Sequence, residues 1–150
     1  MLSSIYNYRQ VTPQLAASGQ PDEEELAAIA QAGYEVVLNI ALHDDSRYSL
    51  RDEERTVRSL GMRYIHIPVR FEAPTEEDLR LFFQAMDENV NSKLWVHCAA
   101  NKRVSAFLGL YWHLRIGQPV EQAFALQRDI WEPDSVWSTF IQRALNHSEA

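Results

Sequence analysis

Three short apolar runs, at residues 34–40, 62–69 and 94–97, recur along the chain, each followed by a polar stretch and a segment of helical periodicity. The first, Tyr-Glu-Val-Val-Leu-Asn-Ile, is apolar and β-branched without strict alternation, the pattern of a strand buried on both faces of a parallel sheet. The helical segments cover residues 50–60, closed by Gly61, then 75–89, then 104–116, closed by Gly117 and Pro119. The second has Thr75 at its N-cap position and Asp78 at capping-box spacing. The third is apolar nearly all round, as a central buried helix is. This alternation predicts an α/β fold, with a central, mostly parallel sheet flanked by helices on both faces.

The ends of the chain add detail to that frame. Residues 5–17 alternate apolar and polar with a break at Thr12-Pro13, which predicts a hairpin at a sheet edge. Pro21 and the acids Asp22, Glu23, Glu24 and Glu25 open a helix that Gly33 ends, with Leu26, Ile29 and Ala30 facing the core. The acidic run is a solvated first turn that the helix dipole stabilises. Two further helices are expected near residues 120–130 and 136–147, and Trp131, Trp137 and Phe140 are read as core rather than as a subunit contact.

Composition narrows the class. A chain of 150 residues, 46% hydrophobic, suffices for one domain over residues 1–150. No run is long enough to span a bilayer, the first ten residues lack the pattern of a signal peptide, and a single cysteine forms no internal disulfide. The expectation is a cytoplasmic protein with no membrane partner. A net charge of −7 argues against nucleic-acid binding, which demands a basic face, but leaves room for a local basic pocket that attracts small anions.

Such a pocket has a place. The third apolar run delivers the only cysteine, Cys98, to a short loop, and Lys102 and Arg103 follow just before the buried helix. Unpaired N–H groups at a helix start, with two nearby cations, favour a thiolate and hold an oxyanion. Ligands of parallel sheets bind beyond the carboxyl ends of the strands, where the Cys98 loop, residues 70–74 and residues 43–45 all fall. His43-Asp44-Asp45 has no second His or Cys cluster at ligand spacing, so it reads as a solvated loop and no metal is expected.

The segment His97-Cys98-Ala99-Ala100-Asn101-Lys102-Arg103-Val104-Ser105 resembles the loop of cysteine-dependent phosphatases of the tyrosine and dual-specificity kind, whose signature is His-Cys, five residues, Arg, then Ser or Thr. Residues 96–107 are more closely similar to a small bacterial family of phosphatase-like proteins, also found fused to beta-lactamase-like hydrolase domains. The resemblance runs from Ala17-Ser18-Gly19-Gln20-Pro21 to the helix after the loop. It has two departures. Only Ala99, Ala100, Asn101 and Lys102 separate Cys98 from Arg103, one residue fewer than the signature, and Asn101 stands where a glycine is usual. Asn tolerates the left-handed conformation better than other non-glycine residues. Either the loop is a tighter bowl, or Ser105 keeps its usual place and Arg103 approaches from a shifted angle.

The resemblance implies a fold of the cysteine-phosphatase kind, a phosphate-monoester hydrolase and an anionic, phosphorylated substrate, with no cofactor. It assigns Cys98 as nucleophile and the amides of Ala99, Ala100, Asn101, Lys102 and Arg103, with the Arg103 side chain, as the phosphate cradle. Ser105 would hydrogen-bond the sulfur and His97 would orient the loop. Related phosphatases take the leaving-group proton from an aspartate after the preceding strand, but that place holds Arg70, and the carboxylate of this loop is Glu72. Glu72 serves, or Asp44 or Asp45 reaches in, or turnover is confined to good leaving groups. Arg70 either binds a second anionic group of the substrate or is a surface residue. The four-residue spacing is also that of many rhodanese-like sulfurtransferases, which makes persulfide transfer at Cys98 one alternative. A phosphate-binding pseudophosphatase is another.

Overall fold

A computed structural model describes residues 2–43 and 50–149. Five strands form one sheet: β1 (Arg9–Thr12), β2 (Leu15–Ser18), β3 (Val36–Asn39), β4 (Arg63–His66) and β5 (Leu94–His97), in the order β1-β2-β5-β3-β4. The last four run parallel and β1 is antiparallel to β2. Every residue of β3 and of β5 is buried, as their unalternating apolar sequence requires.

The hairpin expected at the sheet edge is only half an edge. β1 is the edge strand, whereas β2 lies between β1 and β5 and makes a fourth parallel strand. Ala16 and Ala17 carry its buried surface, and alanine has little strand propensity, so the sequence pattern does not mark this strand as interior.

Helices cover both faces. On one, α1 (Glu23–Gln31) and α2 (Glu53–Ser59) set Leu26, Ile29 and Val57 against Val37, Tyr64 and Trp95. On the other, α3 (Glu76–Glu88) and α4 (Lys102–Tyr111) pack Phe82, Met86, Phe107 and Leu110 against Leu38 and Val96. Three more helices, α5 (Val120–Ala123), α6 (Ala125–Ile130) and α7 (Ser135–Glu149), lean on α4. The capping box expected of Thr75 with Asp78 forms at the start of α3, and Asp22 with Glu25 forms a second at the start of α1.

Three boundaries differ from expectation for local reasons. α2 begins at Glu53, not residue 50, because Asp52 caps it by accepting from the Arg55 amide. The helix after the cysteine loop is α-helical to Tyr111, continues as a π-helix over Trp112–Ile116 and stops at Gly117, whose φ is 88°. The helix expected over residues 120–130 breaks at Phe124, whose buried ring lies where a Cβ on Gly109 would approach within 2.4 Å. α4 therefore needs glycine at 109 to dock this corner. Trp137 is fully buried among Phe71, Phe107, Trp131 and Phe140, while Trp131 and Phe140 are half-buried at the rim of that cluster. Among the described residues no helix is long and apolar enough to cross a membrane.

Candidate active site

Parallel strands carry their C-terminal residues to one end of the sheet, where β5 ends at His97 and the chain turns through residues 98–101 into α4. Asn101, the residue before the helix, has φ 65° and ψ 7°. It occupies the left-handed conformation that explains a glycine at this place in related loops, and its amide suits it to the same backbone. The first turn of α4 has no intrahelical acceptors for its N–H groups. Among the described residues the N–H groups of Ala99, Ala100, Lys102, Arg103 and Val104 have no acceptor at all. A set of open donors thus collects beside Cys98.

Arg103 lies in that first helical turn, and its residue is only 9% exposed. Its Nη1 donates to the carbonyl of Val69 at 2.8 Å, and the guanidinium lies 5.8 Å from the Phe71 ring centroid. Among the described residues no carboxylate pairs with it. A guanidinium has five N–H donors, so one edge of the fork stays open for a planar or tetrahedral anion. Lys102 behaves differently. It is exposed, with Nζ 5.6 Å from the Trp131 ring and 6.0 Å from Phe71, so its side chain lies over the aromatic rim.

The back of the loop is tied to three other segments. Cys98 O faces His97 Nδ1 at 3.1 Å, Ala99 O accepts from the Gln20 amide N–H at 3.0 Å, and Ala100 O accepts from Asn7 Nδ2 at 3.0 Å. Asn101 Nδ2 returns a bond to Asn7 O at 2.9 Å. Gly19 runs so close that a Cβ there would lie 2.5 Å from Ala99 O. Behind His97 sits a second layer: Glu53 Oε2 is 2.7 Å from His97 Nε2, and Glu53 Oε1 accepts from Gln20 Nε2 at 2.6 Å. Burial works against the charge on Glu53, but the His97 ring and hydrogen bonds from His97, Gln20 and Tyr64 prevail and hold its carboxyl at about 2. Burial, then the charge of Glu53, push the Tyr64 phenol well above its ordinary value.

Of the residues expected at the site, Cys98, Ala99, Ala100 and Asn101 form the turn between His97 at the end of β5 and Lys102 and Arg103 at the start of α4, with Val69 and Phe71 laid against Arg103. Cys98 has no exposed surface, whereas reactive thiols are usually partly exposed. Ser105 departs from expectation. Its hydroxyl donates to Lys102 O at 3.0 Å instead of to the sulfur, the back-bonding that serines inside helices adopt. Arg70 and Glu72 are exposed on the turn that an Ala73 N–H to Arg70 O bond closes. Asp44 and Asp45 lie outside the described residues. His43, read as part of a solvated loop, is exposed but not idle. Its ring stacks on His66 at 4.3 Å, and its Nε2 lies 2.9 Å from Asn39 Nδ2 and 3.1 Å from the Tyr64 hydroxyl. Burial, then the neighbouring His66, lower its pKa.

Sequence reasoning missed Glu53, Asn7 and Tyr64 as parts of the site. Glu53 belongs to an Asp-Glu-Glu run that reads as solvated, and nothing in its spacing distinguishes it from Glu54. Gln20 was within reach, because it lies in the Ala17-Ser18-Gly19-Gln20-Pro21 stretch that carries the resemblance.

Known proteins share this fold. A DUF442 candidate phosphatase from Shewanella putrefaciens CN-32 superposes with a TM-score of 0.86 at 32% identity, over 98% of this chain and 96% of that one. Tk-PTP in its active form shares the fold, with a TM-score of 0.74 at 22% identity over 95% of this chain and 96% of its own. The beta-lactamase hydrolase-like protein of Xylella fastidiosa is 30% identical over 95 residues, which is 62% of this chain and 22% of that protein. The chain thus matches only about a fifth of the length of those relatives. The family model for the DSP-PTPase phosphatase fused to NAD+ kinase, PTP-NADK, matches residues 7–136, and the chain belongs to that phosphatase family.

Proposed function

We propose that the chain hydrolyses phosphate monoesters through a thiophosphate intermediate on Cys98. The observation that carries this reading is Arg103: a nearly buried guanidinium without a carboxylate partner among the described residues, beside a turn of open N–H groups and the cysteine. Burying an unpaired cation is costly, and an anionic ligand repays that cost. In the first step the Cys98 thiolate attacks phosphorus, an S–P bond forms, and the P–O bond to the leaving group breaks as a proton reaches the departing oxygen. In the second, water attacks phosphorus, the S–P bond breaks, and inorganic phosphate leaves with the thiolate regenerated. The loop N–H groups and Arg103 hold the non-bridging oxygens through both steps. With Cys98 fully covered in this structure, its surroundings have to shift for the ester to reach sulfur.

One feature favours a second reading. The four-residue spacing between Cys98 and Arg103 suits a sulfane sulfur, which needs no acid for its leaving group. In that chemistry thiosulfate gives its outer sulfur to Cys98, sulfite leaves, and cyanide takes the sulfur as thiocyanate. Both reactions are measured on the purified protein with an aryl phosphate and with thiosulfate plus cyanide. The phosphatase reading expects phosphate release that falls about 10³-fold or more in Cys98→Ser and about 10²- to 10³-fold in Arg103→Ala. Cys98-dependent thiocyanate without phosphate release transfers the protein to the sulfurtransferases. Silence in both assays leaves an anion-binding module.

A further inference from the structure

We propose that Asn7, on the segment before β1, is a positioning residue of the anion loop, acting by holding the Ala100 carbonyl out of it. The inference rests on the reading of residues 98–103 as an anion site. A trans peptide points its C=O and N–H in opposite directions, so a bowl of inward N–H groups needs its carbonyls fixed outward. Three consecutive carbonyls of this loop face partners behind it: Cys98 O faces His97, Ala99 O the Gln20 amide, and Ala100 O the Asn7 side chain. The first partner belongs to β5 and the second is main chain. Asn7 alone of the three is a side chain from a distant segment, ninety-three positions away.

Four observations mark this contact as specific. Asn7 has φ 49°, a left-handed conformation that aims its amide at the loop while its own carbonyl stays available. Asn101 Nδ2 takes that carbonyl, so the two asparagines, both left-handed, bind each other's segment reciprocally. Asn101 Oδ1, in a fully buried residue, has no partner among the described residues, so the amide keeps its bond to Asn7 although this leaves an orphan acceptor. The Gly19 amide, bonded to Tyr6 O at 2.7 Å, fixes the same segment from the other side.

The test uses inorganic phosphate as the probe, measured by calorimetry, beside KM and kcat for an aryl phosphate. Asn7→Gly keeps the left-handed backbone and removes only the amide, while Asn7→Asp keeps size and conformation but loses the donor. Asn89→Gly serves as the contrast, since it deletes a comparable bond, from Asn89 Nδ2 to Ala85 O at the end of α3, and leaves the Ala100 contact in place. Asn7→Gly is expected to weaken phosphate binding and raise KM together by about tenfold, one neutral hydrogen bond's worth, with kcat changed less than about threefold. Asn89→Gly is expected to change both by less than about threefold. If Asn7→Gly does not fold, Asn7→Asp carries the same expectation for phosphate binding. Phosphate affinity within about twofold of wild type in the Asn7 variants, or an equal loss in Asn89→Gly, overturns the proposal. A wild type that binds phosphate but hydrolyses no ester overturns the phosphatase reading and leaves this inference to the binding data. A wild type that binds no phosphate overturns both.

Discussion

His97 Nε2 lies 2.7 Å from Glu53 Oε2, and neither side chain has any exposed surface. The other ring nitrogen of His97 faces Cys98 O, so both nitrogens lie against oxygen atoms. Gln20 and Tyr64 complete the surroundings of Glu53. A buried carboxylate with both oxygens engaged is expensive to disturb, because removing His97 leaves the Glu53 charge without its partner. This pair links α2, the start of α1 and the residue before the cysteine. It fixes the end of β5 from which the loop departs.

The Glu53 carboxyl titrates at about 2 in the folded chain against an ordinary 4.5, so the unfolded chain binds the proton more readily and acid favours unfolding. Its stabilisation is fully present above pH about 4.5 and is lost as pH falls towards 2, on the order of 3 kcal/mol over that window. Urea unfolding of wild type and Glu53→Gln from pH 7 to pH 2 measures this. The difference between the two is expected to stay level down to about pH 4.5 and to shrink below it. A difference that does not change with pH contradicts the assignment of the charge to Glu53.

Most of the frame was legible because its signals are local. The capping box at Thr75 and the stops at Gly33, Gly61 and Gly117 all act within a few residues, and the structure places each where the sequence did. The loop was legible because an apolar strand, a cysteine and two cations are contiguous in sequence. What was not legible depends on pairing across the fold. β2 becomes interior because Leu15–Ser18 pairs with Leu94–His97, and a run of two alanines does not announce a partner. Glu53 and Asn7 reach the loop across forty-four and ninety-three positions, and no spacing rule couples such residues. Ser105 was placed by the resemblance alone, and its helical back-bond to Lys102 shows the local alternative open to any serine at that position.

Gly19 is a sharper probe of loop geometry than any charged residue. A Cβ there would sit 2.5 Å from Ala99 O, 2.8 Å from Tyr6 Cδ2 and 3.1 Å from Tyr6 O, so backbone blocks it on two sides. Gly19→Ala is therefore expected to push the loop away from β2, with a loss of about 1–3 kcal/mol in unfolding free energy and a weaker affinity for phosphate. Gly61→Ala is the control, since its Cβ meets nothing within 4 Å and only the backbone angle is strained. Thermal unfolding and phosphate calorimetry on both variants separate the two effects. Equal phosphate affinity in wild type and Gly19→Ala contradicts the close fit of β2 to the loop.

On the phosphatase reading, the position of Glu72 bears on which esters turn over. It is exposed on the same turn as Phe71, whose ring lies against Arg103, so it stands at the rim of the anion site rather than inside it. If Glu72 protonates the leaving oxygen, the benefit grows with the basicity of that oxygen, because a poor leaving group needs the proton and a good one departs without it. Glu72→Gln is then expected to lose about 10²- to 10⁴-fold in kcat on phenyl phosphate but far less on an activated nitrophenyl ester. Plotting log kcat against leaving-group pKa for both proteins reads this as a steeper slope in the variant. Parallel slopes remove Glu72 from proton transfer and direct the search to Asp44 and Asp45.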